Sequence, residues 1–316
     1  MDTPSKTLLE LIELGDGFLT RKGIEDSRTV CELLAARLYK CGRGELHRFL
    51  AMVPEERLVE AMRRGMSRVA QGEPIQYILG QWDFRKLTLK VDSRALIPRP
   101  ETELLVDLVL KSDTVKKISK PIIVDVGTGT GCIILSLAQE LKDGVFVGID
   151  ISPAALSLAQ ENATLCGLSD QIMFAESDGC GAFDPESVDL LVSNPPYIPS
   201  AVVDKLPKHI RDHEPRSALD GGPDGLDIYR NLLMDAVMVL KTGGELFFEI
   251  GEDQGLAMHD MLNAHGFINI RIHKDYASDW ATLLAAARII ALDGPASALN
   301  PARAAGIRII YAAIKS

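Results

Sequence analysis

The chain has 316 residues, of which 47% are hydrophobic and 25% charged, and a formal net charge of −10. That length carries one large domain or two ordinary ones, each with a proper core, and the composition excludes broad disorder. Residues 1–90 hold 15 basic against 13 acidic residues, whereas residues 91–316 hold 19 against 31; so acidic a second part repels phosphate backbones, and direct nucleic-acid binding is not expected.

The opening MDTPSKTLLELIELG lacks a basic stretch followed by a long apolar one. No uncharged run of about 18 apolar residues occurs, so neither export nor membrane spanning is expected. Cys31, Cys41, Cys132, Cys166 and Cys180 are odd in number and never in C-x-x-C spacing. They suggest neither a disulfide framework nor a zinc site and fit a reducing cytoplasm. His209 and His213 lie four apart between Pro207 and Pro215 without an apparent third ligand, so no metal is expected.

In chain order, the first 70 or so residues read as short helices. Thr3 and Pro4 form a candidate cap, and Pro54 can start a helix with Leu58, Met62, Met66 and Val69 on one face. Trp82, Phe84, Leu87, Leu89 and Val91 then alternate, which predicts an extended hairpin or linker over 81–92. Residues 96–103, LIPRPETE, enter a helix carrying Leu104, Leu105, Leu108 and Val109. Glu101 and Glu103 in its first turn can order a site, but acids there are favoured by the helix dipole in any case.

Beyond that point the period changes. Short β-branched or aromatic runs at 121–127, 144–150, 172–177, 188–194 and 244–250 predict strands, and 132–141 and 153–162 predict helices, the latter with Ser152 as cap and Pro153 in first position. This alternation predicts an open α/β domain with a parallel sheet covered on both faces. From Ile198 to about Gly225 no clean period appears and prolines recur, so a long functional loop is expected.

Two motifs carry chemistry. DVGTGTG, residues 125–131, follows a buried strand and opens a helix; Gly127, Gly129 and Gly131 let a ligand approach the backbone, and the helix N-terminus offers unpaired amides. Asp150 closes the next strand, placed to accept hydrogen bonds from both hydroxyls of an adenosine ribose. The third glycine of a dinucleotide fingerprint is replaced by Cys132, which suits a nucleoside without a pyrophosphate, S-adenosylmethionine among them.

The second motif is NPPY, Asn194 to Tyr197. Alone, Asn-Pro-Pro is loop punctuation. If 121–126 is the first strand and 188–193 the fourth, however, the two are neighbours at the switch point and NPPY borders the glycine loop. An amide or exocyclic amine nitrogen is a poor nucleophile that must be oriented. Asn194 and the Pro195 carbonyl supply two acceptors for its N–H groups, Pro195 and Pro196 stiffen the backbone, and Tyr197 can pack on the planar group.

The chain resembles the HemK/PrmC protein-(glutamine-N5) methyltransferases from roughly Ser27 to Tyr276, through GEPIQYILGQWDF, LIPRPETE, DVGTGTG, GID, NPPYI, EPRSALDGGPDGLDIYR and KDYA. NPPY alone also occurs in adenine amino-methyltransferases; the combination is more specific. The resemblance implies a Rossmann-like class I SAM-dependent methyltransferase fold, with a seven-stranded, mostly parallel sheet at 98–316. It also implies a small all-helical N-terminal domain at 1–80 that docks the substrate, and an extended hairpin linker at 81–97. It implies S-adenosylmethionine as cofactor, held by Gly127, Thr128, Gly129, Thr130, Gly131, Asp150 and Asn194. Asn194, Pro195, Pro196 and Tyr197 then hold the glutamine amide of the GGQ motif in class I peptide chain release factors, acting in the cytoplasm. The alternatives are an adenine-N6 nucleic-acid methyltransferase and a non-catalytic or NAD-type nucleotide-binding protein.

Two departures stand out. Gly179 follows Asp178 where many members carry an aromatic residue, and an atypical segment follows KDYA, with 281–290 or 306–314 as the final strand.

Overall fold

The computed structural model describes residues 6–181, 183–274 and 283–289. The chain forms two compact units: residues up to Gln81 together with Pro207–His213, and Trp82–Leu206 together with the chain from Glu214 onward.

The first unit contains α1 (Leu8–Arg21), α2 (Ser27–Tyr39), α3 (Glu56–Ala70) and α4 (Ile75–Leu79). Thr7 caps α1: its side chain accepts from Glu10 N, and the Glu10 carboxylate accepts from Thr7 N at 2.7 Å. This reciprocal cap fixes the start at Leu8; Thr3 and Pro4 lie outside the described residues. Met62 and Val69 are buried on the expected face of α3. A Cβ on Gly65 would stand 2.7 Å from Leu34 Cδ2, so α2 and α3 pack closely through this glycine. On the outer face, Arg64 pairs with Glu60 at 3.1 Å and Arg68 with Glu73.

The second unit follows from the hairpin of β1 (Gln81–Phe84) and β2 (Leu87–Lys90), then α5 (Pro100–Leu110), α6 (Asp113–Lys117), β3 (Ile122–Val126), α7 (Cys132–Glu140) and β4 (Val145–Asp150). Next come α8 (Pro153–Leu165), β5 (Ile172–Glu176), β6 (Val188–Ser193) and α9 (Ser200–Val203). After α10 (Lys208–Arg211), which falls in the first unit, follow α11 (Asp227–Val239), β7 (Leu240–Ile250), α12 (Gly255–Ala264), β8 (Phe267–Lys274) and β9 (Leu283–Ile289). The sheet order is β5-β4-β3-β6-β7-β9-β8. The first five strands run parallel, and β9 is antiparallel to both its neighbours, which makes a seven-stranded, mostly parallel sheet.

All five expected strands are present. β7 starts four residues earlier than its apolar run and slips register against β6 between Val188 and Leu190. Of the two candidates for the last strand, 283–289 occupies a place in the sheet; 306–314 and residues 275–277 of KDYA lie outside the described residues. The expected long loop contains the short helices α9 and α10 and a turn at Arg216–Ala218, and it folds back through a parallel bridge between Ile198 and Asp220.

Successive strand residues feed opposite cores, as a pleated sheet requires. Ile123, Leu190, Val192 and Phe247 pack with the buried faces of α5 and α7, while Val124, Leu191 and Phe248 pack with Tyr229, Leu233, Met258 and Leu262 from α11 and α12. Phe84, Leu87 and Leu89 of the hairpin are buried in the first of these cores, so the hairpin is built into the second unit.

Asn162 ties three segments together. Fully buried on α8, it accepts from Lys90 N at 2.7 Å and donates to Lys90 O at 3.0 Å and Thr130 O at 2.9 Å. Replacing Asn162 by Ala strands one backbone N–H and weakens two carbonyls. The expected loss is about 2–3 kcal/mol of unfolding free energy, read from denaturant melts, where a surface substitution moves the midpoint little.

Candidate active site

The parallel pairing of β3 with β6 decides where the motifs go. Val126 and Ser193 are register partners at the carboxyl ends of these strands, and the Ser193 hydroxyl donates to Val126 O at 2.6 Å. The two chains leave the sheet side by side, one into the glycine loop and the other into NPPY. Between them lies a cavity of about 410 Å3, lined by Gly127, Thr128, Gly129, Thr130 and Asp150 and also by Asn194, Pro195 and Pro196. A volume of this order suits a nucleoside-sized ligand.

The glycine loop is held in place by its own backbone and by two acids. Gly127 and Gly129 have φ of 70° and 57°, in the left-handed region where a side chain costs energy. Thr128 N donates to Ile149 O at 2.9 Å, and the Thr128 hydroxyl donates to Asp125 Oδ2 at 2.7 Å. Asp125 is fully buried, and burial pushes its pKa up to about 7 despite that bond. Asp150 accepts from Gly129 N through Oδ2 and from Ser152 N through Oδ1, both at 2.9 Å. Burial raises its pKa, and the backbone amides of Ser152 and Gly129 oppose the rise. With one bond accepted at each, the two oxygens retain acceptor capacity on a residue that lines the cavity, which fits a vicinal diol such as a ribose. Gly131 does not line the cavity. With φ of 82° it caps α7, and a Cβ there would stand 2.9 Å from Leu135 Cδ1, so this glycine serves helix packing.

NPPY is clamped from behind. The Gln254 amide donates to Tyr197 O at 3.0 Å and Gly225 O at 3.1 Å, while its oxygen accepts from Gly251 N at 2.8 Å. Gly221 passes so close that a Cβ would meet Pro196 O at 2.7 Å, and a Cβ on Gly225, at φ of 76°, would collide with Tyr197 O. Tyr197 does not line the cavity; its phenol reaches Glu249 Oε1 at 3.4 Å, and burial, followed by that carboxylate, raises its pKa.

Under Asn194 lies a polar chain that sequence reasoning missed. Asn194 Nδ2 donates to Thr102 Oγ1 at 3.1 Å, and the Thr102 hydroxyl donates to Glu249 Oε2 at 2.7 Å. Glu249 is 1% exposed, and burial pushes its pKa up to about 7 against the bonds from the Thr102 and Tyr197 hydroxyls. The signal was present: GELFFEI is an apolar run on a strand buried on both faces, and a carboxylate near its end contradicts that burial unless it has partners. Glu214 was missed likewise. It accepts from Arg99 Nη2 at 2.6 Å and from Ile97 N at 3.2 Å, joining LIPRPETE to the start of EPRSALDGG.

Glu103 accepts from Arg85 N at 3.0 Å and thus holds the hairpin turn. Gly179 lines the cavity at φ of 84°, and a Cβ there would collide with the Asp235 carboxylate, which accepts from Cys180 N at 2.8 Å. That packing is the physical reason the position lacks a side chain.

Residues 10–80 match the PrmC N-terminal domain and residues 101–209 the methyltransferase small domain. The chain is 42% identical over 263 residues to the release factor glutamine methyltransferase of Moorella thermoacetica, covering 82% of this chain and 91% of that protein. It is 37% identical over 254 residues to the protein of the same name from Rhodopirellula baltica, covering 79% and 85%. The solved catalytic domain of hMettl16, in complex with MAT2A 3′UTR hairpin 6, superposes with a TM-score of 0.55 at 17% identity over 73% of this chain and 84% of that one, a likeness of fold alone.

Gly225→Ala tests the clamp. The left-handed backbone and the collision with Tyr197 O together are expected to cost about 1–3 kcal/mol in thermal unfolding. The same substitution at Gly23, also at positive φ but with open space around its Cβ, is expected to cost less.

Proposed function

Because the chain belongs to the release factor glutamine methyltransferase family, we propose that it methylates the N5 amide nitrogen of the glutamine in the GGQ motif of class I peptide chain release factors, using S-adenosylmethionine. The observation that carries this reading is the single cavity shared by the glycine loop, Asp150 and the Asn194, Pro195 and Pro196 segment. S-adenosylmethionine, when bound, supplies a sulfonium methyl whose carbon–sulfur electron pair returns to sulfur as the nitrogen gains the methyl.

The remaining work belongs to the chain. Gly127, Thr128, Gly129 and Thr130 leave the approach along the loop free of large side chains, and Asp150 accepts from the ribose hydroxyls. Gly131 acts at one remove, by seating α7. Asn194 Oδ1 and the Pro195 carbonyl accept the two N–H bonds of the glutamine amide, which aims the nitrogen lone pair. Pro195 and Pro196 limit the backbone motion that would blur that aim. Tyr197 braces the segment from within. After transfer the nitrogen is cationic and releases one proton, leaving a neutral secondary amide. No enzyme nucleophile is used. The N-terminal helical unit, residues 1–80 in the sequence reading, docks the release factor. Among the described residues no helix is long and apolar enough to cross a membrane, and we assign the reaction to the cytoplasm.

Methyl-labelled cofactor offered to a release factor, to the same factor with its GGQ glutamine replaced, and to a DNA duplex tests the proposal. Label is expected on the intact factor alone. Label on adenine instead would select the nucleic-acid reading, and label on neither would remove methyl transfer altogether. Asn194→Ala is expected to lower kcat by about 10²–10³-fold, since it removes one oriented acceptor in a dry site.

A further inference from the structure

Asn194 can serve as an acceptor only if its amide is turned the right way. A carboxamide presents an acceptor on one side and two donors on the other, and the two orientations have almost the same shape. Packing alone therefore selects weakly between them, and a hydrogen bond of fixed direction must decide.

The polar chain beneath Asn194 has such a direction. An ionised carboxylate only accepts, so the Thr102 hydroxyl at 2.7 Å from Glu249 Oε2 must donate its one proton to it. With that proton committed, Thr102 Oγ1 at 3.1 Å from Asn194 can only accept, and the side of the amide facing it must be Nδ2. Oδ1 is then the acceptor left over, on a residue that lines the cavity. We propose that Glu249, acting through Thr102, is the positioning residue that fixes which way the Asn194 amide faces. The inference rests on the methyl-transfer reading and deepens it, by identifying what makes Asn194 an acceptor for substrate rather than a donor.

The chain is reversible in principle. A protonated Glu249 can donate to Thr102, whose hydroxyl is then free to donate to Asn194; the amide gains by turning over and presents N–H groups to the substrate nitrogen, whose own N–H bonds then lose that acceptor. Burial pushes the Glu249 pKa up to about 7, which puts this reversal within reach of ordinary pH. The groups facing Glu249 are Thr102 and Glu101 from α5, Cys132 from α7, Asn194 and Tyr197 after β6, and Tyr229 from α11, whose phenol donates to the Glu249 backbone carbonyl at 2.6 Å. Arg99 bears on Tyr197 and is itself bound to Glu214. Cys132, raised to about 12, and the two tyrosines, raised further by burial, stay neutral over the range concerned, which leaves Glu101 as the other acid near Glu249 in that set.

The test compares wild type, Glu249→Gln, Thr102→Val and Thr102→Ser, with release factor as substrate and cofactor affinity measured separately. Wild-type kcat is expected to fall as pH drops through about 7, and the midpoint is expected to match the Glu249 carboxyl titration followed by NMR of labelled glutamate. Glu249→Gln, whose amide can donate to Thr102, is expected to lose about 10²-fold in kcat and the acid limb with it, at little change in cofactor affinity. Thr102→Val is expected to lose about 10-fold or more, and Thr102→Ser, which keeps the hydroxyl, to recover most of it. A wild-type kcat and pH profile in Glu249→Gln overturns the inference, and so does a Thr102→Ser enzyme as slow as Thr102→Val. A wild-type enzyme that transfers no methyl to the factor overturns the functional reading instead, so the two failures are distinguishable.

Discussion

Everything at the site depends on the parallel pairing of β3 with β6. The pairing is not consecutive in sequence: β4, β5 and two helices intervene, and their strands pair on the far side of β3. A parallel sheet that grows outward from its middle leaves a crevice where the chain changes direction, and strand ends bordering that crevice expose backbone groups with no sheet partner. Here those ends are Val126 and Ser193, joined by the Ser193 hydroxyl. A slip by one residue would turn the side chains of the slipped strand to the opposite face, and with them the side on which its motif emerges.

Buried acids recur around this crevice, and they do different work. Asp125 receives the Thr128 hydroxyl and stiffens the glycine loop from below. Asp150 receives two backbone amides and retains capacity for a ligand. Glu214 neutralises Arg99 and accepts from a backbone N–H, so it joins two segments distant in sequence. Glu249 receives the hydroxyls of Thr102 and Tyr197, and burial is the largest influence on it. Burying a carboxylate costs several kcal/mol unless hydrogen bonds offset the loss of water. A fold that keeps such groups where apolar residues would pack more cheaply does so for direction, because hydrogen bonds select orientation and dispersion does not.

The sequence made the frame legible to different depths. The five central strands were readable because each is a short buried run, and the order at the switch point followed from topology rules rather than from any residue. The glycine loop, Asp150 and NPPY were readable because glycine, an acid at a strand end and paired prolines each have a local meaning. What was not readable depended on contacts between distant segments. Thr102 lies between two glutamates whose placement the helix dipole already explains, and its role appears only when β7 brings Glu249 beneath it, 147 residues away. Gly131 and Tyr197 belong to motifs whose neighbours line the cavity, yet each turns inward, one to Leu135 and the other to Glu249. Spacing places a backbone near a site; only packing decides which side chains face it.

The same reasoning separates the two clamps on NPPY. Gln254, Gly221 and Gly225 act on the backbone, where proline already removes freedom, and so determine the position of the segment. Thr102 and Glu249 act on the Asn194 side chain, where proline has no influence, and so determine its orientation. Two prolines can hold a carbonyl in place indefinitely without telling a carboxamide which end to present. Rigid backbone and directed side chain are therefore separate requirements, met by separate parts of the chain, and an acceptor pair for an amide needs both.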